Sequence, residues 1–346
     1  MEQTRSVLLR LCRPSSALAR RLHLDPRLAQ AGRPAPSIFC RRAKLLQRER
    51  AARAPDAPLY DYLKDEVGAR LADRVLDIRR DFAAAANLGC GRGHVSRHLP
   101  AERVGRLYLC DACAGWLEAA PAPEGVSAER RAVDEEGPLP FAAASLDLVI
   151  SSLALHWVND LPAALGEAHR CLREDGALLT AMFGGDTLYE LRSALQLANL
   201  ERRGGAAPHV SPFAQVRDVG ALLTQAGFTM LTIDTDELVV GYPSMLELMG
   251  DLKGMGESNA ALRRALHLGR ERLVAAASVY DRLYGRDEAG RRSVPATFQV
   301  IYALGWKPSA SQPRPLARGS GQVSLRDLHR LDEIIRDSKK VPLDPE

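Results

Sequence analysis

A glycine-rich turn after an apolar strand constrains the fold of this chain more than any other feature. Residues 83–88 predict a buried strand, and Gly89-Cys90-Gly91-Arg92-Gly93 follows directly. Glycines let a ligand approach the main-chain N–H groups at the start of a helix. A dinucleotide site would need a glycine or alanine five positions after the first glycine, where His94 stands. The Gly-x-Gly-x-Gly spacing therefore favours a nucleoside ligand without a pyrophosphate.

Predicted strands and helices alternate along the chain, which is typical of an α/β protein. The strands are short apolar runs separated by segments with helical periodicity. This order predicts a Rossmann-like, doubly wound, mostly parallel sheet of seven strands. A helical insertion at about 243–285 precedes the last strand, which we expect at the sheet edge. The predicted strands span residues 83–88, 106–110, 126–133, 146–151, 177–183, 229–235 and 296–306.

Acidic residues follow the next two predicted strands. Asp111 ends the second strand, 22 residues after Gly89, and Asp134-Glu135 follow the third. A carboxylate at the end of the second strand can accept hydrogen bonds from both ribose hydroxyls. The acids after the third strand are placed to accept from an adenine amino group. Together with the turn, these residues predict a site for an adenosyl group that carries an amino-acid tail.

The first 37 residues differ in composition from the rest. They hold seven arginines, no lysine and two acids, with several serines. This is typical of a mitochondrial transit peptide, and the alternative is a disordered basic tail. The remaining chain is close to neutral, which argues against nucleic acid as a partner. We expect a transit peptide at 1–37, one domain at 38–320, and a tail at 321–346 with a helix near 324–337.

Membrane-spanning segments and metal sites have little support in the sequence. No run of 18 apolar residues occurs, so we predict no membrane span. Six cysteines are scattered along the chain, and the single Cys-x-x-Cys pair, Cys110 and Cys113, has no second pair at zinc-finger spacing. We therefore predict reduced thiols and no metal site.

The motifs resemble two nested protein families. The turn, Asp111, and 139–141 (LPF) before 146–149 (LDLV) are similar to the class I S-adenosylmethionine (SAM)-dependent methyltransferases. More specific segments resemble the family of mitochondrial complex I (NADH:ubiquinone oxidoreductase) assembly factor 5, the arginine hydroxylases. These segments are residues 153–161 (LALHWVNDL), 182–192 (MFGGDTLYELR), 248–259 (LMGDLKGMGESN) and 293–307 (SVPATFQVIYALGWK). The resemblance covers roughly residues 38–320.

The resemblance implies a SAM-binding matrix protein, peripheral on the inner membrane, that acts on complex I assembly intermediates. Its activity would be hydroxylation of an arginine in the complex I iron–sulfur subunit. The residues themselves do not indicate hydroxylation: an iron oxygenase would need two histidines and a carboxylate. The only His-x-Asp, His23-Leu24-Asp25, lies in the leader. SAM would be bound by Asn87, Gly89, Gly91, Gly93, Asp111, Asp134 and Glu135.

One position in the SAM site departs from the family pattern. Asn87 stands where such methyltransferases usually carry an acid before the turn. An amide can accept from the methionine ammonium but brings no charge, so we expect weaker SAM binding than with aspartate. Restoring the acid, as Asn87→Asp, is therefore predicted to tighten SAM binding.

The catalytic candidates are few. His156 and Trp157 follow the fourth strand, where class I enzymes face the transferable methyl group, and His209 and Glu257 lie in loops that could cover the cleft.

Three functions stay open at this point: an arginine hydroxylase, a methyltransferase of a small-molecule or acyl-carrier substrate, and a non-catalytic assembly chaperone. A chaperone would use a partner surface in the helical insertion, built from Met245, Leu248, Met249, Leu252 and Met255; the alternative is that they belong to the core.

Overall fold

The computed structural model describes residues 37–205, 208–265, 267–288 and 290–313. The described residues up to Ser309 belong to one compact unit, and residues 310–313 belong to a second. The predicted transit peptide lies outside the described residues apart from its last position. The predicted tail at 321–346, with its helix near 324–337, also lies outside them. The two predicted boundaries, after residue 37 and after residue 320, therefore stay predictions.

Eight strands form one sheet whose centre is parallel. Its order is β3-β2-β1-β4-β5-β8-β6, and β7 pairs with β8 beside this path. Strands β1 to β5 run parallel, and β8 is antiparallel to β5 and to β6. The predicted doubly wound α/β fold is confirmed, with the three-residue β7 as an eighth strand. The strands are β1 Phe82–Leu88, β2 Val104–Asp111, β3 Ser127–Ala132, β4 Leu146–Ser152, β5 Leu172–Phe183, β6 Thr229–Tyr242, β7 Arg286–Glu288 and β8 Arg291–Trp306.

The prediction that the last strand lies at the sheet edge is wrong. Strand β8 lies between β5 and β6, and its residues from Val294 to Ala303 are nearly all buried. Strand β6 is the edge strand instead, and it runs to Tyr242, beyond the predicted end at 235. Exposed and partly buried residues alternate along β6, as expected where one face of a strand meets solvent.

Helices cover both faces of the sheet. In α2 the apolar residues Leu63, Val67, Leu71 and Val75 recur every four positions and are buried in the core. The carboxylate of Asp160 caps α4 by accepting from the main-chain N–H of Ala163 at 3.0 Å. The helices are α1 Arg41–Ala52, α2 Tyr62–Asp77, α3 Ala114–Ala119, α4 Leu161–Cys171, α5 Tyr189–Arg203, α6 Val216–Gln225, α7 Met245–Gly254 and α8 Arg270–Tyr284.

The insertion before the last strand consists of α7 and α8, and the described residues between them, 255–265 and 267–269, form no helix or strand. Met245, Leu248 and Met255 are buried in the main core, and Met249 and Leu252 pack against it. The hypothesis that these five residues form a partner surface is therefore wrong, because their helical spacing serves core packing. Among the described residues, no helix has the length and apolar character that crossing a bilayer requires.

Candidate functional site

The turn after β1 adopts a conformation that glycine favours. Gly89, Gly91 and Gly93 have φ angles of 64°, 55° and 81°. A side chain at Gly89 would collide with the methyl group of Ala154 and come within 2.9 Å of Glu135 Oε1. The turn is tied to β2 by the N–H of Cys90, which donates to the carbonyl of Cys110 at 2.9 Å. The predicted turn thus lies at the carboxyl ends of β1 and β2, where ligands bind in open α/β sheets.

Asp111 ends β2 and points at this turn. Its Oδ2 accepts the main-chain N–H of Gly91 at 2.9 Å, and its Oδ1 accepts that of Cys113 at 2.8 Å. The residue is only 1% exposed. A carboxylate has about four lone-pair sites, so two acceptor positions remain for a ligand.

The two acids after β3 have different surroundings. Glu135 is buried, and burial raises its pKa while the charges of Arg48 and Arg41 oppose that rise. Arg41 donates to Glu135 Oε2 at 2.8 Å and to Asp134 Oδ1 at 2.6 Å. The side chain of Asp134 is 55% exposed. Glu135 therefore faces the turn, whereas Asp134 lies at the protein surface with Arg41.

Asn87 is fully buried in β1, two residues before the turn. Neither its amide oxygen nor its amide nitrogen has a hydrogen-bond partner in the part of the chain that the structure describes. Buried amides without partners are rare, because each lost hydrogen bond costs free energy. An orphaned amide beside a glycine turn is consistent with a polar ligand group in that place.

Helix α1 covers the turn and brings two buried cations with it. Lys44 is 1% and Arg48 3% exposed. Arg48 and Lys64 of α2 line the cavity beside Gly89, Gly91 and Asp111. That cavity measures about 20 Å³, space for roughly one water molecule. An adenosyl group therefore fits the chemistry of this site but needs the covering side chains to move aside.

Glu257 lies in the irregular segment between α7 and α8 and is held by three side chains. The indole N–H of Trp157 donates to Glu257 Oε2 at 2.7 Å. Lys64 Nζ is 3.2 Å from Oε1, and Lys44 Nζ is 3.8 Å from Oε2. Burial by itself would raise the pKa of Glu257, but the two lysines lower it to about 2. Glu257 is therefore a buried, ionised carboxylate.

A larger cavity of about 330 Å³ lies on the other side of Glu257. Glu257 lines both this cavity and the small one beside the turn, so it stands between them. Apolar side chains make up most of the lining, with polar groups among them. The lining residues are Trp157, Leu188, Leu191, Leu195, His209, Val210, Ser211, Phe213, Met249, Leu252, Glu257, Ser258, Asn259, Arg264, Ala265 and Leu268.

Comparison with known proteins identifies the family. A methyltransferase domain family matches residues 86–180, from the middle of β1 into β5. "Arginine-hydroxylase NDUFAF5, mitochondrial" from Mus musculus is 49% identical, over 96% of this chain and 98% of that protein. The protein of the same name from Homo sapiens is 48% identical over the same shares. The chain belongs to the NDUFAF5 arginine-hydroxylase family.

This NDUFAF5 family member is also similar, at lower sequence identity, to proteins that are named for a different activity. A malonyl-[acyl-carrier protein] O-methyltransferase from Methylovorus is 33% identical, over 79% of this chain and 93% of that protein. Together with the domain match and the strand order, this places the NDUFAF5 family within the class I methyltransferase superfamily.

The two catalytic candidates that follow β4, His156 and Trp157, differ in position in this NDUFAF5 family member. Trp157 lines the 330 Å³ cavity, whereas His156 lines neither of the two cavities described above. Both ring nitrogens of His156 lack a hydrogen-bond partner among the described residues, and burial lowers its pKa to about 3. Its ring packs 4.9 Å from Phe183 and 5.8 Å from Phe213, centroid to centroid. His156 is thus a neutral ring in an aromatic cluster.

Sequence reasoning missed three cations of the site: Lys44, Arg48 and Lys64. Lys44 and Arg48 are four residues apart on α1 and so share one helix face. That spacing was a signal, but a charged stripe normally faces solvent. Within the described chain, no three His, Cys, Asp or Glu side chains come together as metal ligands would.

Proposed function

We propose that this protein is a mitochondrial, SAM-binding protein-arginine hydroxylase that acts during assembly of respiratory complex I. The observation that carries the proposal is near-half identity, over almost the whole chain, to proteins named mitochondrial arginine hydroxylases. The proposed substrate is an arginine of the complex I iron–sulfur subunit within assembly intermediates. The proposed location is the matrix, with peripheral attachment to the inner membrane.

The proposed cofactor is SAM, on the grounds of the methyltransferase domain and the geometry of the turn. The glycine turn would leave room for its methionine end beside the main chain, while the N–H groups of Gly91 and Gly93 already donate to Asp111 Oδ2 and to the carbonyl of Cys90. Asp111 would accept from the ribose hydroxyls, and Glu135 from the adenine amino group. When bound, SAM would supply a sulfonium-activated methyl group to the alternative reaction, methyl transfer. Arginine hydroxylation would instead take its oxygen atom from dioxygen, with a reductant, and leave that methyl group in place.

A second candidate function is methyl transfer to a small-molecule or acyl-carrier substrate. It is favoured by the match to a methyltransferase domain and by the similarity to malonyl-[acyl-carrier protein] O-methyltransferases. Both reactions would use the same adenosyl site, so the site by itself does not separate them. The third function, a binding-only assembly chaperone, was suggested by a partner surface in the helical insertion. Its five residues belong to the core or pack against it, so this support is removed.

One labelling experiment separates these functions. The purified protein is incubated with the iron–sulfur subunit, ferrous iron, a reductant, heavy-isotope dioxygen and SAM with a deuterated methyl group. Peptides and small molecules are then weighed by mass spectrometry. One heavy oxygen on an arginine supports the hydroxylase. A deuterated methyl group on any product, without added oxygen, overturns it in favour of methyl transfer. A stable complex with no mass change overturns it in favour of a chaperone.

A further inference from the structure

The carboxylate of Glu257 has unused acceptor capacity at a cavity wall. Its Oε2 accepts the indole N–H of Trp157 at 2.7 Å. Its Oε1 lies 3.2 Å from Lys64 Nζ, but no described residue donates a hydrogen bond to it. The side chain is only 5% exposed. A buried carboxylate oxygen in this state can accept one or two more hydrogen bonds from a group that enters the cavity.

The two lysines near Glu257 give their hydrogen bonds to the main chain. Lys44 Nζ donates to the carbonyls of Gly256 and Ser258 at 3.0 and 2.9 Å. Burial lowers the pKa of Lys44 well below its ordinary value. Lys64 Nζ donates to the carbonyl of Met255 at 2.7 Å. Lys64 is thus an ion-pair partner of Oε1 that is placed without hydrogen-bond geometry, and both lysines stabilise the charge of Glu257.

The cavity beyond Glu257 has walls that suit a long side chain with a flat cationic end. The rings of Trp157 and Phe213 line it with their centroids 6.5 Å apart. A guanidinium group stacks on aromatic faces and pairs with a carboxylate through two parallel N–H groups. Leu188 and Leu252 offer apolar surface to the methylene groups of such a side chain. Among the described lining residues, the like charge belongs to Arg264, which donates to the carbonyl of Ala261 at 2.9 Å. Behind the lining, Lys44 Nζ lies over the Trp157 ring, 3.4 Å from its centroid.

We infer that this cavity binds the side chain of the substrate arginine, and that Glu257 is the partner of its guanidinium group. The inference rests on the proposed function and adds the residue that selects arginine. Because Glu257 also borders the cavity beside the glycine turn, the guanidinium would lie next to the proposed SAM site. Lysine is a poorer ligand here, because its ammonium is compact, strongly hydrated and unable to pair in a plane.

The test uses Nα-acetyl-arginine amide and its uncharged counterpart, Nα-acetyl-citrulline amide, as probes. Binding of each to the full-length protein with SAM present is measured by saturation-transfer NMR. We expect the arginine probe to bind at least about tenfold more tightly than citrulline, equal to about 1.4 kcal/mol. We expect Glu257→Gln to remove this preference. Glu237→Gln, at an exposed position of β6, is the matched control and should keep it.

Two outcomes overturn the inference. One is equal binding of the arginine and citrulline probes to the wild-type protein, which needs no variant and so does not depend on whether Glu257→Gln folds. The other is a folded Glu257→Gln variant that keeps the arginine preference. If the labelling experiment gives hydroxyarginine but the preference does not depend on Glu257, the proposed function stands and this inference fails. If the preference depends on Glu257 but no hydroxylation occurs, the cavity does bind arginine through Glu257 and the proposed function fails.

Discussion

Asp111 accepts the main-chain N–H of Gly91 at 2.9 Å and thereby joins the end of β2 to the turn that follows β1. The second oxygen of the same carboxylate accepts from Cys113, so both oxygens are engaged on the protein side. The acid that we expect to bind ribose is therefore also a structural clamp on the turn. Changes at this residue should affect stability and ligand binding together.

We predict that Asp111→Asn weakens SAM binding at least about tenfold, because the amide NH2 replaces one acceptor that faces a main-chain donor. Asp147→Asn is the matched control. Asp147 accepts from the N–H of Ala84 at 2.9 Å and pairs with Arg173, at the opposite end of the parallel strands. It should lower the free energy of unfolding without changing the SAM dissociation constant in calorimetry. Equal loss of SAM binding in both variants would contradict the assignment of Asp111.

Gly89→Ala is predicted to destabilise the protein by roughly 2–4 kcal/mol and to abolish SAM binding. Its φ of 64° is unfavourable for alanine, and the new methyl group would meet Ala154. Gly166→Ala, inside α4, places the added methyl more than 4 Å from every atom outside the surrounding helix backbone and should instead stabilise the protein by about 1 kcal/mol. Urea unfolding of the two variants checks both signs. A neutral Gly89→Ala would show that the turn tolerates a side chain.

His156→Phe is predicted to reduce the amount of stability that the protein loses in mild acid. The pKa of His156 is lowered to about 3 in the folded protein, so the unfolded chain takes up the proton first as the pH falls below 6.5. The wild type therefore loses stability between about pH 6.5 and 3, and at pH 5 this residue accounts for about 2 kcal/mol. Urea unfolding at pH 7.5 and pH 5 measures the free energy of unfolding of both proteins. The value for the variant minus that for the wild type should be more positive at pH 5 than at pH 7.5. If the free energies of unfolding of variant and wild type differ by the same amount at both pH values, the prediction is wrong.

Trp157→Phe should destabilise the protein by about 1.5–3 kcal/mol in addition to the free energy lost with the smaller ring, since it removes a donor to a buried, charged carboxylate. Trp116→Phe is the comparison, because Trp116 is similarly buried but its indole N–H donates to no described residue. Guanidinium unfolding of both variants gives the difference. Equal losses would mean that the hydrogen bond to Glu257 contributes little.

Asn87→Asp is predicted to tighten SAM binding and to destabilise the free protein. A carboxylate at this fully buried position has no partner in the described chain, and burying an unpaired charge is costly. Bound SAM would bring its ammonium group to that carboxylate and offset the cost. Calorimetry and thermal unfolding, each with and without SAM, measure the two effects. Unchanged or weaker SAM binding would show that Asn87 does not face the methionine end.

The sheet was largely predictable from sequence, because each parallel strand is a short apolar run. The order of β6 and β8 in the sheet was not predictable, because the composition of the two antiparallel strands does not show which of them lies between two other strands and which lies at the edge. Gly176 shows how a local signal can mislead: glycine commonly ends helices, yet α4 ends at Cys171 and Gly176 lies within β5. The strand begins at once because Leu172 already pairs with Leu146 of β4.

The site was half predictable. The glycine turn, Asp111 and Glu135 were found because they follow strands at fixed places along the chain. Lys44, Lys64 and Glu257 meet only in three dimensions, since Lys64 and Glu257 are 193 positions apart in the sequence. Their burial as a charged cluster depends on how α1 packs over the turn, which no local pattern encodes.

The central place of β8 has a consequence for how the chain folds as it emerges, N-terminus first, from a ribosome or an import channel. Strands β5 and β6 have no hydrogen bonds to each other and depend on β8, whose residues arrive last among the described strands. Until then both strands expose unpaired main-chain groups, which are prone to aggregate. We expect the incomplete protein to require a chaperone until Trp306 has cleared the exit.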